Sequence, residues 1–198
     1  MSLHTSALRV AARSRSTSRR DTLLDAAARL FRAHGYHGTS VREIASAISA
    51  TPGALYSHYP SKADLLLAVY REGVRRIVEA VDSAVGRDRD PVSLLIAACA
   101  AHLTALLEGG DYASVVVRVL PADVEGAESA LLEVRRNYER RFKRLISRVA
   151  APQRTIFRLA LLGTLNAVPT WYDPTGKLRP REIARNIVLL LLGAGKSC

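Results

Sequence analysis

The chain contains 198 residues, of which 48% are hydrophobic, so it can bury a real core as one domain or two small ones. Its formal net charge of +11 favours a polyanionic partner, although an arginine-rich composition is also typical of a GC-rich genome. Cys99 lies in an apolar helical pattern and Cys198 is the last residue, which argues against a disulfide framework and fits a reducing cytoplasm. We expect no secretory signal and no membrane span, because no apolar run reaches the ~18 residues that a span requires.

The N-terminal segment, residues 1–18, alternates Ser, Thr, Ala and Arg without periodicity and is predicted to be a disordered basic arm. It either follows DNA phosphates or a minor groove, or is an inert extension. A first helix is predicted from Arg19 to His34, and Gly35 ends it. The apolar face of this helix consists of Leu23, Ala27, Leu30 and Phe31.

Two short helices joined by a tight turn are predicted between residues 39 and 62. The first has one apolar stripe, formed by Val41, Ile44, Ala45 and Ile48. Thr51 is a suitable N-cap for the second, and Pro52 suits its first position because proline has no N–H group to leave unpaired. This pattern indicates a helix-turn-helix, whose second helix enters the DNA major groove with its N-terminal end.

Residues 19–70 resemble the DNA-binding domain of TetR-family transcriptional regulators. The motifs are A-A-x-L-F at 27–31, G-Y-x-G-T-S at 35–40 and L-Y-x-x-Y-P-S-K at 55–62. The family usually has glycine at the turn where this chain has Ser49, so the left-handed backbone conformation there is expected to be strained or absent. The resemblance implies a DNA-binding domain over residues 19–60.

DNA contacts are predicted at two kinds of position. Phosphates are expected to meet Tyr56, His58 and, as the resemblance implies, Lys62, because phosphate binding requires charge or hydrogen-bond donors. Thr39 and Ser40 are expected to add donors at a helix N-terminus. Base edges are expected to face the small side chains near the start of the second helix, which are Thr51, Pro52, Gly53, Ala54 and Ser57. Arg42, outside the apolar stripe of the first helix, is a further candidate.

The remaining residues, 61–198, are predicted to form a helical ligand-binding and dimerisation domain, which makes the whole fold all-α. A connecting helix is predicted over 61–85, with Ser61 as its N-cap. Further helices are predicted at 91–107, 125–149, 156–168 and 180–192. The β-branched run at 114–120 is ambiguous, and we assign it to a helix because no partner strand is evident.

A homodimer is predicted, since one helix-turn-helix reaches only one half-site of a palindromic operator. The amphipathic helices near the C-terminus would supply a four-helix interface. The candidate interface residues are Phe142, Leu161, Leu162 and Leu165. Alternatively, these apolar seams only close the core of the monomer.

The C-terminal part, from Arg118 onward, resembles a subgroup of TetR-like repressors that control fatty-acid or sterol catabolism and sense acyl-CoA thioesters. The resemblance implies ligand contacts from Arg118, Tyr138, Asn166, Trp171 and Tyr172, with further matches at Gly176 and Ile183. The piece from Trp171 to Gly176 has a plain alternative, an aromatic helix end at the dimer interface followed by a turn. Apolar helices beside Arg118 and the arginines of the 125–149 helix would suit a ligand with an acyl chain and phosphates.

The sequence therefore predicts a repressor that binds a palindromic DNA operator as a dimer and is released by a small hydrophobic ligand, such as an acyl-CoA thioester. The alternatives are a constitutive DNA-binding regulator without a ligand and a repressor that senses a drug-like molecule. An enzyme is disfavoured, because no P-loop, nucleophile-elbow or zinc-protease motif occurs and the five histidines lack metal-ligand spacing. No cofactor or metal is expected.

Overall fold

A computed structural model describes residues 19–86 and 90–193 of the chain. The predicted arm at 1–18, residues 87–89 of the loop after the connecting helix, and Cys198 lie outside the described residues. The described residues form nine α-helices and two short 3-10 turns, with no strand among them. The prediction of an all-α fold is confirmed.

The helix boundaries lie within a few residues of those predicted. The β-branched run is mostly helical, as assigned, and only Val119 and Leu120 are extended or irregular after it. The helices are α1 (Arg19–His34), α2 (Val41–Ala47), α3 (Pro52–Tyr56), α4 (Lys62–Ala84), α5 (Pro91–Glu108), α6 (Gly110–Arg118), α7 (Glu128–Ile146), α8 (Arg154–Ala167) and α9 (Pro180–Leu191). The 3-10 turns are Pro121–Asp123 and Val168–Thr170.

The turn between α2 and α3 keeps a left-handed residue even though it lacks glycine. Ser49 has a φ of 53°, and the turn is closed by hydrogen bonds from Ser49 N–H to the Ser46 carbonyl and from Ala50 N–H to the Ala45 carbonyl. This conformation costs an L-residue roughly 1–2 kcal/mol. The family's turn geometry is therefore retained at the cost of some strain.

Helices α4 and α5 form the centre of the chain. α4 buries apolar residues along its whole length and contacts α1, α5, α6 and α7. α5 has the length and hydropathy of a membrane span, which the search for uninterrupted apolar runs did not reveal. However, α5 packs against α4, α6, α7, α8 and α9, and its buried residues lie in the protein core. We therefore interpret α5 as a core helix.

Helix α6 lies between α1 and α4 and touches both closely. A Cβ atom at Gly73 of α4 would lie 2.6 Å from Val116 Cγ2 and 2.9 Å from the Tyr112 carbonyl oxygen, so only glycine allows this approach. On the other side of α6, the Tyr112 hydroxyl donates to Asp25 of α1 at 2.8 Å. Asp111 pairs with Arg32 of α1, also at 2.8 Å. α6 therefore joins the helix-turn-helix to the C-terminal helices.

Candidate operator-binding surface and effector cavity

Helix α3 is held by two buried side chains and presents the others outward. Leu55 and Tyr59 are buried, and the Tyr59 hydroxyl accepts a hydrogen bond from Arg20 Nε at 3.0 Å. The N-terminus of α3 is capped as predicted, with Thr51 Oγ1 accepting from Ala54 N–H at 3.3 Å. The exposed or half-buried residues of this segment are Thr51, Pro52, Gly53, Ala54, Tyr56, Ser57 and His58, all of which are predicted DNA contacts.

Helix α2 adds a second part to this surface. Ser40 and Glu43 form a reciprocal capping box, in which Ser40 Oγ accepts from Glu43 N–H and Ser40 N–H donates to the Glu43 carboxylate at 2.7 Å. These hydrogen bonds from Ser40 lower the pKa of Glu43. One groove is lined by Thr39, Ser40, Arg42, Pro52, Tyr56 and Lys62. Pro52 is the predicted base-facing residue that borders this groove, and the others are predicted phosphate contacts or Arg42. We call this region, from residue 40 to residue 62, the operator-facing surface.

Thr39 borders the same groove, but its side chain is buried. Its side chain is only 1% exposed, and its hydroxyl lies 2.7 Å from the Gly35 carbonyl oxygen and 3.1 Å from that of Leu30. The hydroxyl therefore donates to carbonyl groups at the C-terminal end of α1, where a helix leaves its last carbonyl groups without a partner inside the helix. The Thr39 hydroxyl is thus engaged within the protein, and the expectation that Thr39 and Ser40 add phosphate donors at the N-terminus of α2 stays a prediction.

Lys62 has a structural role that the sequence did not reveal. Its ammonium group donates to the Tyr36 carbonyl at 2.9 Å and to the Thr39 carbonyl at 3.0 Å, and it lies 4.3 Å from the centre of the Tyr36 ring. Lys62 thereby ties the first turn of α4 to the turn before α2. An ammonium group has three N–H donors, so one remains for a DNA phosphate.

A cavity of about 200 Å³ lies among helices α4 to α8. Most of its wall is apolar, with side chains from α4, α6, α8 and the segment after α6. Polar groups come from α5, α7 and α8. The lining includes Tyr70, Val74, Ile77, His102, Val116, Val117, Val119, Leu120, Arg135, Tyr138, Glu139, Leu162 and Asn166. A mostly apolar cavity with few polar groups is typical of a site for a small ligand.

The polar part of the cavity is a chain of three hydrogen-bonded side chains. His102 Nε2 lies 3.0 Å from Asn166 Oδ1, and His102 Nδ1 is hydrogen-bonded to the Tyr138 hydroxyl. With the Asn166 oxygen facing Nε2, the imidazole carries its proton on Nε2, and Nδ1 accepts from Tyr138. Burial lowers the pKa of His102 to about 4 and raises the pKa of Tyr138 well above its usual value, so both groups are neutral near pH 7.

Two of the five predicted ligand contacts, Tyr138 and Asn166, line the cavity. The other three do not. Arg118 is exposed and donates to the Arg32 carbonyl of α1 at 3.4 Å, Trp171 is exposed, and Tyr172 packs on a separate small cluster. His102 was not predicted, although it is a polar residue on the buried side of an otherwise apolar helix.

The predicted dimer contacts lie in the core of the single chain. Phe142, Leu161, Leu162 and Leu165 are all buried within the single chain, so the prediction that these four side chains form the interface is wrong. α8 has a second apolar face, on which Ile156 is 59% and Leu159 is 52% exposed. On α9, Leu190 is 73% exposed. The sequence prediction chose the wrong face because α8 is apolar on two sides.

These features define a helix-turn-helix regulator whose second group of helices encloses a ligand-sized cavity. A family model described as "Bacterial regulatory proteins, tetR family" matches residues 23–69. A second model, "Tetracyclin repressor-like, C-terminal domain", matches residues 88–194, which is more than half of the chain. The chain belongs to the TetR family, whose members are transcriptional regulators that bind DNA operators and are not enzymes.

Similar proteins include both repressors and an activator. HTH-type transcriptional repressor AcnR from Corynebacterium glutamicum is 39% identical over 72 residues, which are 36% of this chain and 38% of that protein. HTH-type transcriptional activator FasR from Mycolicibacterium smegmatis is 38% identical over 72 residues, 36% of this chain and 33% of that protein. The chain thus spans little more than a third of these relatives. The structure of AibR in complex with isovaleryl coenzyme A and operator DNA has a TM-score of 0.75 at 26% identity, covering 88% of this chain and 98% of that chain.

The buried His102 makes a prediction about acid stability. Its pKa is about 4 when folded against a usual value of 6.5, so between these values the unfolded chain takes up a proton that the folded chain excludes. The free energy of unfolding should therefore fall by up to about 3 kcal/mol as the pH drops from 6.5 to 4. Well above pH 6.5, the titration of His102 should add no pH dependence to the free energy of unfolding. Urea unfolding across this range, compared with His102→Gln, measures the difference. Equal pH dependence of the two proteins would contradict the assignment.

Proposed function

We propose that the protein is a cytoplasmic transcriptional repressor that binds a palindromic DNA operator as a homodimer and releases it when an acyl-CoA thioester binds. The observation that supports an effector most directly is the apolar cavity among α4 to α8, which contains a neutral polar chain and is bordered by Arg135. The repressor assignment is supported by the similarity to AcnR, and the thioester by the similarity to AibR. The similarity to FasR makes activation the alternative.

The size of the cavity favours a short acyl group. A volume of about 200 Å³ is below the roughly 300–1,000 Å³ that is typical of cavities for drug-sized ligands. Asn166 uses its oxygen toward His102, which leaves its amide N–H groups to donate to the thioester carbonyl. A short chain in contact with apolar walls and one hydrogen-bond donor suits this site.

The effector signal would pass through α6. Val116 and Val117 of α6 line the cavity, while Asp111, Tyr112 and Arg118 of the same helix contact α1. A ligand that displaces the Val116 side of α6 therefore also displaces α1 and the operator-facing surface. A nearly complete switch requires about 10⁴-fold tighter binding to the released conformation.

The dimer would form through an outer face, to which α8 contributes Ile156 and Leu159, α9 contributes Leu190, and the segment between these helices contributes Trp171. These large apolar side chains are all more than half exposed in the single chain. Gly163 and Ala167 are exposed on the same side of α8 and allow close helix approach, and Gly163 also borders the cavity. A second copy would cover this face.

The operator-facing surface predicts which substitutions alter affinity and which alter specificity. Lys62→Gln keeps an N–H donor for the Tyr36 and Thr39 carbonyls but removes the charge. It should therefore weaken binding to all operator sequences alike. The salt dependence of the binding constant should also fall by the amount expected for about one lost phosphate contact. Ala54→Ser, at an exposed position of α3, should change which bases are preferred. Binding to a randomised operator library measures both. A changed preference with Lys62→Gln and none with Ala54→Ser would show that the docking is wrong.

The outer face predicts the oligomeric state. Leu159→Glu would bury an unpaired carboxylate in the interface and should give a folded monomer by sedimentation, with operator binding lost. The matched control is Leu132→Glu, since Leu132 is partly exposed on α7 and lies outside the outer face. Circular dichroism checks that both variants fold. A Leu159→Glu protein that remains dimeric would exclude this interface.

The effector is tested by titrating a preformed operator complex with short and long acyl-CoA esters, free fatty acids and cationic drugs. Short esters should release the operator. Tyr112→Phe, which loses the hydrogen bond to Asp25, should still bind operator and ester but need several-fold more ester for release, because a net hydrogen bond contributes about 1 kcal/mol. Release by drugs alone would exclude the thioester. Release by nothing would favour a constitutive regulator.

A further inference from the structure

A concave and strongly basic surface lies between α7 and α8. It is a groove of about 430 Å³, and it is lined by five basic side chains and a single carboxylate. The basic residues are Arg136, Arg140, Lys143, Arg154 and Arg158, and the carboxylate is that of Glu139. We call this region the basic groove.

The positive charge of the basic groove is mostly uncompensated. Glu139 forms ion pairs with Arg158 and, at 3.1 Å, with Arg135. Among residues 19–86 and 90–193, no carboxylate pairs with the other four basic residues of the groove. The neighbouring Arg141 differs, since it pairs with Asp82 of α4 at 3.0 Å. Several unpaired cations in one concavity repel one another and favour an anion with more than one charge.

Operator phosphates are not the anion that the basic groove would take. The contact between Arg141 and Asp82 places this part of α7 beside the C-terminal end of α4, whereas Lys62 at the N-terminal end of α4 borders the operator-facing surface. The twenty residues from 62 to 82 span about 30 Å of helix at 1.5 Å per residue. A duplex on α3 would lie too far away, so a smaller polyanion is required.

The basic groove and the effector cavity meet at Glu139. This residue lines both, with Arg135 on the cavity side and Arg158 on the groove side. A ligand with an apolar end in the cavity and a phosphorylated end in the groove would cross this point. Its first phosphate would compete with the Glu139 carboxylate for Arg158.

We infer that the basic groove binds the phosphorylated nucleotide end of the effector, and that Glu139 occupies the phosphate position at Arg158 until the effector arrives. This inference rests on the proposed function, because it assigns the second half of the same ligand. Glu139 then acts as a specificity-determining residue. An uncharged acyl compound leaves its ion pairs intact, whereas a phosphorylated one replaces them.

The test compares two ligands that share the acyl group and the thioester, butyryl-CoA and butyryl-pantetheine, of which only the first carries phosphates. Isothermal titration would use the unsubstituted protein and a groove variant that carries both Arg140→Ser and Lys143→Ser. The control is Arg71→Ser, which removes one exposed charge on α4. Charge-assisted contacts predict roughly tenfold or greater loss of butyryl-CoA affinity in the groove variant only, with butyryl-pantetheine unaffected. Glu139→Gln should bind butyryl-CoA more tightly. Equal losses for both ligands, or a loss in Arg71→Ser as large as in the groove variant, would overturn the inference.

Failure of the groove and failure of the proposed effector are distinguished by a third titration, with inorganic pyrophosphate. If butyryl-CoA does not bind but pyrophosphate binds and loses affinity in the groove variant, the groove stands and the thioester is wrong. If butyryl-CoA releases the operator equally well from the unsubstituted protein and the groove variant, the repressor assignment is supported and the assignment of the groove to the nucleotide end is wrong. If pyrophosphate and butyryl-CoA both fail to bind, the groove is wrong.

Discussion

The close approach of α6 to α4 at Gly73 is the contact on which the rest of the structure depends. Because position 73 has no side chain, Val116 and the Tyr112 backbone sit directly on α4. The same approach brings the Tyr112 ring under Arg76, with 4.1 Å between the guanidinium carbon and the ring centre, and lets the Tyr112 hydroxyl reach Asp25. α6 thus forms part of the cavity wall and part of the surface against which α1 packs. A larger residue at position 73 would separate α6 from α4 and disturb both.

Local signals in the sequence were sufficient for the helix-turn-helix. Thr51 and Pro52 begin α3, Ser40 caps α2, and the stripe around Ile44 is buried, because caps and helical periodicity act within a few residues. These features depend on neighbours along the chain. The fold class, the caps and most helix boundaries could therefore be predicted from sequence.

The errors arose where the outcome depends on packing between distant segments. α8 is apolar on two faces, and only tertiary contacts decide that Leu161 and Leu165 face the core while Leu159 faces outward. His102 was missed because its two partners, Tyr138 and Asn166, are 36 and 64 residues away. Periodicity carries no information about such partners.

In the proposed mechanism, an effector in the cavity changes the spacing of the two operator-facing surfaces of a dimer. The most direct measurement is the distance between spin labels at Ala33→Cys, an exposed position on α1, in a protein with Cys198→Ser so that the buried Cys99 is the other remaining thiol. Pulsed electron spin resonance would compare the operator complex with the protein bound to a short acyl-CoA ester. The ester should shift the distribution of label-to-label distances away from that of the operator complex. Identical distributions, with the ester bound and the operator released, would contradict it.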